Sequence, residues 1–132
     1  GLSACSMGPM ASTSTDLRAT LSGSSEVPPV MTPATGTVEA TLTPASNTLS
    51  WRVTYSGLSG PATGAHFHGP AMAGQNAGVA VPIPGPLTSP MVGSVVLTPA
   101  QVADITGGKW YVNVHTAANP NGEVRGQVSV RR

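Results

Sequence analysis

Thirteen prolines are spread through the 132 residues, and their spacing forbids almost any long helix. A proline inside a helix removes a backbone hydrogen bond and clashes with the preceding turn. The longest proline-free stretches are residues 10–27, 45–60 and 100–119. Much of each alternates apolar and polar side chains, which is the period of a strand and not of a helix. Gly, Pro, Ser and Thr make up 58 of the 132 residues, as expected for short strands joined by tight turns. The chain therefore reads as all-β, an antiparallel β-sandwich or Greek-key barrel of about eight strands with one short helix. Its length suits one domain, and no internal repeat is evident.

The strands can be placed by alternation. Residues 17–22 form the first. Residues 36–43 and 48–56 form a hairpin around the turn 44–47, with Leu49, Trp51, Val53 and Tyr55 on one face. Residues 63–68 return after a glycine-rich turn, followed by a Gly/Pro-rich loop over 69–78. The short strands 79–83 and 92–97 lie among prolines, which suits edge positions. Thr98-Pro99-Ala100-Gln101 predicts a helix start, with a threonine cap, proline at the first position and glutamine three residues after the cap. Gly107 ends that helix after about two turns. Residues 110–115 and 123–130 form a last hairpin around 116–122.

Charge excludes several function classes. Only 8% of residues are charged and the net charge is +1, so the basic surface a nucleic-acid binder needs is missing. No run of 18 apolar residues could span a bilayer. The 39% hydrophobic content and small net charge also argue against a disordered chain.

The single cysteine cannot close an internal disulfide. Leu2-Ser3-Ala4-Cys5 has the pattern of a bacterial lipobox, in which small residues precede a cysteine that becomes lipidated. The following Ser/Thr/Met-rich segment reads as a tether, giving residues 1–16 as anchor and tether and 17–132 as the folded domain. The expectation is an exported protein of the periplasm or cell surface that meets the membrane only through a lipid on Cys5.

The histidines fall in two segments. In Ala65-His66-Phe67-His68, alternation gives Ala65 and Phe67 to the core and both histidines to the opposite face. In residues 110–115, Trp110, Val112 and Val114 form the apolar set, while Tyr111, Asn113 and His115 share the other face. A His-x-His pair on a strand sets two imidazoles about 6–7 Å apart at Cα. A third histidine of matching parity would complete a three-histidine site for copper or, second, zinc. Hairpin pairing symmetric about Asn119 places His115 opposite Glu123, Asn113 opposite Arg125 and Tyr111 opposite Gln127. Glu123 could then ligate the metal or accept an imidazole N–H. Met72 is a candidate soft ligand for copper, Met7 and Met10 weaker ones, and Asn113 and Arg125 would stand around the site. Against this reading, histidines at strand ends are often simply hydrogen-bonded, and Glu123, Arg125 and Gln127 could form an ion-pair and hydrogen-bond ladder. Neither an activated nucleophile nor a phosphate-cradling loop is recognisable.

Three ordered motifs resemble the CHRD domain, the module named for its repeats in chordin and found singly in bacterial exported proteins. They are Leu21-Ser22-Gly23 with Glu26-Val27-Pro28-Pro29-Val30, then Gly64-Ala65-His66-Phe67-His68-Gly69-Pro70-Ala71, and last residues 110–116 with residues 119–127. The resemblance runs from about Leu17 to Val130. Phe67 and Val124 depart from it where an isoleucine is expected. It implies a secreted antiparallel β-sandwich whose signature histidines correspond to His66, His68 and His115, and it implies little about activity. The leading expectation is thus a metal-binding module rather than an enzyme, with a copper redox enzyme as a minor possibility. The alternative is a metal-free structural or interaction domain that forms a homo-oligomer or binds an envelope or extracellular protein.

Overall fold

The structure, a computed structural model, describes residues 13–131. The expectations placed on Cys5, Met7 and Met10 lie outside these residues. Nine strands form in chain order: β1 (Thr15–Ser22), β2 (Thr35–Thr43), β3 (Thr48–Ser56), β4 (Ala62–His68), β5 (Val79–Pro82), β6 (Met91–Val96), β7 (Tyr111–Thr116), β8 (Val124–Gln127) and β9 (Ser129–Val130). A 3-10 turn covers Gly23–Ser25, and one α-helix, α1, covers Pro99–Thr106. The helix carries the expected capping box: Gln101 N–H donates to Thr98 Oγ1, and Thr98 N–H donates to the Gln101 side chain.

All strands join one antiparallel sheet in the order β5-β4-β7-β8-β1-β2-β3-β6, with β9 added beside β1. The sheet curls into a half-barrel. β4 and β3 lie near opposite ends of that order, yet the Phe67 and Trp51 rings meet edge to face at 5.3 Å. Phe67 also packs on Trp110 at 5.9 Å. Leu17, Leu21, Val38, Leu49, Val53 and Val112 fill the rest of the concave side, and burying each contributes about 1.5–3 kcal/mol. Gly93 stands opposite Trp51 on β6, where any Cβ would strike the indole ring, so the edge strand can approach only without a side chain there.

Three details depart from expectation. β1 starts at Thr15, so the last two residues of the expected tether are in the sheet. Residues 123–130 are two strands: at Val128 the chain leaves β7, and Ser129 and Val130 pair with Arg18 and Leu17. The convex face over β4, β7 and β8 is partly covered as well. The 69–78 loop folds across it, closed at its base by Gly69 N–H to the Gly78 carbonyl, 3.2 Å, and by Ala71 N–H to the Lys109 carbonyl, 2.8 Å. Gln127 pins it further through the Ala71 carbonyl at 2.7 Å. Among the described residues no helix is long and apolar enough to cross a membrane.

Candidate metal centre

β4 turns Ala65 and Phe67 inward, 1% and 0% exposed, which forces Gly64, His66 and His68 onto the convex face. On the adjacent β7, Tyr111, Asn113 and His115 share that face. The register sets Gly64 beside His115, His66 beside Asn113 and His68 beside Tyr111. Gly64 carries no side chain, so the His115 and His66 rings can lean across it. The point where its Cβ would stand is 3.5 Å from His66 Cε1 and 4.0 Å from His115 Cδ2. His66 Nδ1 and His115 Nε2 thereby come within 3.1 Å. His68 stacks flat on Tyr111, with centroids 4.9 Å apart and planes 4° from parallel. One ring nitrogen from each of the three histidines lies within 4.8 Å of the others.

Backbone carbonyls set the tautomers. His68 Nδ1 faces the Ala77 carbonyl at 3.0 Å, and His115 Nδ1 faces the Pro120 carbonyl at 2.9 Å. A carbonyl only accepts, so each Nδ1 carries the proton and each Nε2 offers a lone pair. His66 Nδ1 then donates to His115 Nε2 in the metal-free chain. A metal would take the place of that proton and be held by His66 Nδ1, His68 Nε2 and His115 Nε2. Backbone acceptors behind two of three imidazoles are the support that metal-bound histidines need. Three nitrogens at 2.0–2.1 Å from a tetrahedral ion stand roughly 3.4 Å apart, so the three rings would have to draw closer together to share one.

The local field disfavours a charge on two of the rings. Burial lowers the pKa of His66 from 6.5, and the neighbouring His115 and His68 lower it further. Burial also lowers that of His68, outweighing the opposing pull of the Ala77 carbonyl and Asn113. Neutral imidazole is the form a metal requires.

The other expected site residues divide. Asn113 and Arg125 pair across β7 and β8 as expected, and so do Tyr111 and Gln127. Arg125 is 2% exposed and lies 3.6 Å from the centroid of the Tyr111 ring, while its guanidinium donates to Asn76 Oδ1 at 2.7 Å and to the Gln75 carbonyl. It thus presses Tyr111 against His68, and a desolvated cation over an aromatic face is worth about 2 kcal/mol. Glu123 is not brought to the histidines. It precedes β8, whose last paired residue on this side is Val124, so strand alternation does not govern it. Its carboxylate instead accepts from Ser59 Oγ at 2.6 Å, Thr32 Oγ1 at 2.7 Å, Thr116 Oγ1 at 2.8 Å and Asn119 Nδ2 at 3.2 Å. The expected Glu123–Arg125 ladder is absent for the same reason. Met72 is 54% exposed on the covering loop and does not line the cleft beside the imidazoles.

Two residues are additions. Tyr111 shares the parity of His115, so alternation already pointed to it. Glu26, in a proline-rich loop without periodicity, has no signal from alternation and is marked only by its place in the first CHRD-like motif. It is 5% exposed, and burial raises its pKa to about 7 against the lowering influence of Arg125 and Asn113.

Comparison with known proteins adds one result. No curated protein and no solved structure matches the chain. The family model of the CHRD domain matches residues 17–128, which span the three histidines, their carbonyl supports and the curled sheet from Leu17 in β1 to the end of β8. The chain belongs to the CHRD-domain family.

Proposed function

We propose that this CHRD domain is a metal-binding module that holds one copper ion, or failing that zinc, on His66, His68 and His115, in an exported protein tethered through Cys5. The observation that carries the reading is the convergence of three imidazole nitrogens within 4.8 Å, two of them with the opposite ring nitrogen on a backbone carbonyl. A donor set of neutral imidazoles without thiolate suits copper and zinc, and copper(II) leads zinc in affinity at a given nitrogen site. We read the role as binding or storage of the ion. Export rests on the Leu2–Cys5 pattern and the sparse charge of the chain.

Calorimetric titration of the metal-free protein with Cu(II), Cu(I) and Zn(II) tests this. Wild type is expected to bind one equivalent, with affinity falling at least 100-fold in both His66→Ala and His115→Ala. Binding that survives both substitutions would refute the shared site.

One observation favours the metal-free alternative. His66 and His115 already hydrogen-bond each other at 3.1 Å, so the cluster is partly satisfied without an ion. Under that reading the domain is a structural or interaction module. Its mass in solution would rise with concentration, and His66→Ala would destabilise it with no metal present.

A further inference from the structure

Three imidazoles leave a bound metal short of a ligand, and zinc or copper sites with three protein ligands keep the remaining position for an exogenous one. Among the described residues no cysteine or carboxylate joins the histidine group. Beside His68 and His115 opens a cleft of about 460 Å³, walled by Val27, Pro28 and Tyr111 with Asn121 at its rim. Asn113 stands in that wall and is only 3% exposed. Its Nδ2 donates to the Asn121 carbonyl at 3.3 Å, which fixes the amide orientation, because reversal would set two oxygens against each other. The remaining group is therefore Oδ1, turned toward His68; it is buried and has no hydrogen-bond partner, and neither has His68 Nε2 in the same wall. Other polar groups there are occupied. The Tyr111 hydroxyl both donates to and accepts from the Ala77 backbone, and Asn76 serves Arg125 and the Val27 carbonyl. Among the described residues no free cation lines the cleft to recognise a large anion.

We propose that the cleft delivers a small, proton-bearing oxygen ligand (water, hydroxide or a hydroperoxide) to the fourth metal position, where it donates a hydrogen bond to Asn113 Oδ1. This deepens the metal reading and rests on it. Asn113 is then a positioning residue for the exogenous ligand and not itself a metal ligand.

The test uses the full chain loaded with Cu(II), with two readouts: relaxation enhancement of bulk water protons, and azide binding followed by its charge-transfer absorption. Wild type is expected to enhance water relaxation and to lose that enhancement as one azide binds. Val27→Trp, which fills the cleft from its wall, should keep one Cu(II) and weaken azide at least 10-fold. Asn113→Leu should bind azide about 10-fold more tightly, because the displaced water no longer has its acceptor, an outcome that general loosening of the fold does not produce. Copper binding with neither an azide band nor enhanced relaxation would overturn this inference alone, as would unchanged azide affinity in Val27→Trp. Absence of copper binding would overturn the metal reading, and this one with it.

Discussion

Glu123 and Glu26 are the same residue type and both expose almost no surface, 0% and 5%, yet the fold treats them in opposite ways. Burial would raise both pKa values. Around Glu123 the hydrogen bonds from Ser59, Thr32 and Thr116 overcome that push and hold its carboxyl down at about 2. Around Glu26 burial prevails and its pKa rises to about 7, while its Oε2 has no hydrogen-bond partner. Glu26 and Asn113 both crowd the point where a Cβ of Gly122 would stand, a residue at φ 120°. Four buried side-chain atoms in the described residues lack partners, and three belong to Glu26, Asn113 and His68 at the imidazole end; the fourth is Trp51 Nε1 in the core. Burial by itself therefore does not mark a functional region. A buried polar group with its donors supplied is structural cement, and one with a valence left over points to where a ligand belongs.

The largest expected effect comes from breaking the satisfied cluster. Glu123→Ala strands the Ser59, Thr32, Thr116 and Asn119 donors and should cost about 3 kcal/mol or more in urea unfolding. It should leave metal stoichiometry unchanged wherever the protein stays folded. Glu26→Gln should do the reverse. The folded pKa of Glu26 lies above its unfolded value of 4.5, so wild type loses stability as pH rises from 4.5 through about 7. Allowing for solvent screening, that loss is of order 2 kcal/mol, and the variant should escape it, being the more stable protein at pH 8. The sign inverts at Glu123, whose depressed pKa adds stability that is full above 4.5 and lost as pH falls toward 2. Unfolding curves from pH 2 to 8 for wild type and both variants would separate the two residues.

Smaller effects sharpen the contrast. His66 and His68 are both held below the ordinary 6.5, so protonation of these two rings should oppose metal binding only beneath that pH. Competition titrations at pH 7.5, 6.5 and 5.5 should show a smaller loss over the first interval than over the second. Thr32→Val removes one of the Glu123 donors and should cost about 1 kcal/mol. It should also raise the Glu123 pKa, which carboxyl NMR titration can follow.

Where alternation holds, the sequence was informative. The β2–β3 hairpin follows from Leu49, Trp51 and Val53, and the pairing of Asn113 with Arg125 follows from symmetry about Asn119. The three histidines were legible because each lies within a strand whose inward residues are unmistakable. Glu123 was misplaced because it stands one residue outside the ladder, where the turn and not the pleat sets its direction. Glu26 was missed because prolines on its C-terminal side erase any period. The cover over the convex face was also invisible, since residues 69–78 announce a loop and not where the loop lies. Which ring nitrogen of each histidine is free depends on Ala77 and Pro120, whose carbonyls no residue pattern encodes.

The central claim is that three particular nitrogens share one ion, and imidazole ¹⁵N NMR of the uniformly labelled protein with and without one equivalent of Zn(II) tests it most directly. The account predicts Nδ1-protonated His68 and His115 before metal is added. Zinc should then bring coordination shifts at His68 Nε2, His115 Nε2 and His66 Nδ1, in slow exchange and at one-to-one stoichiometry. Unshifted resonances, or shifts at one histidine only, would contradict it.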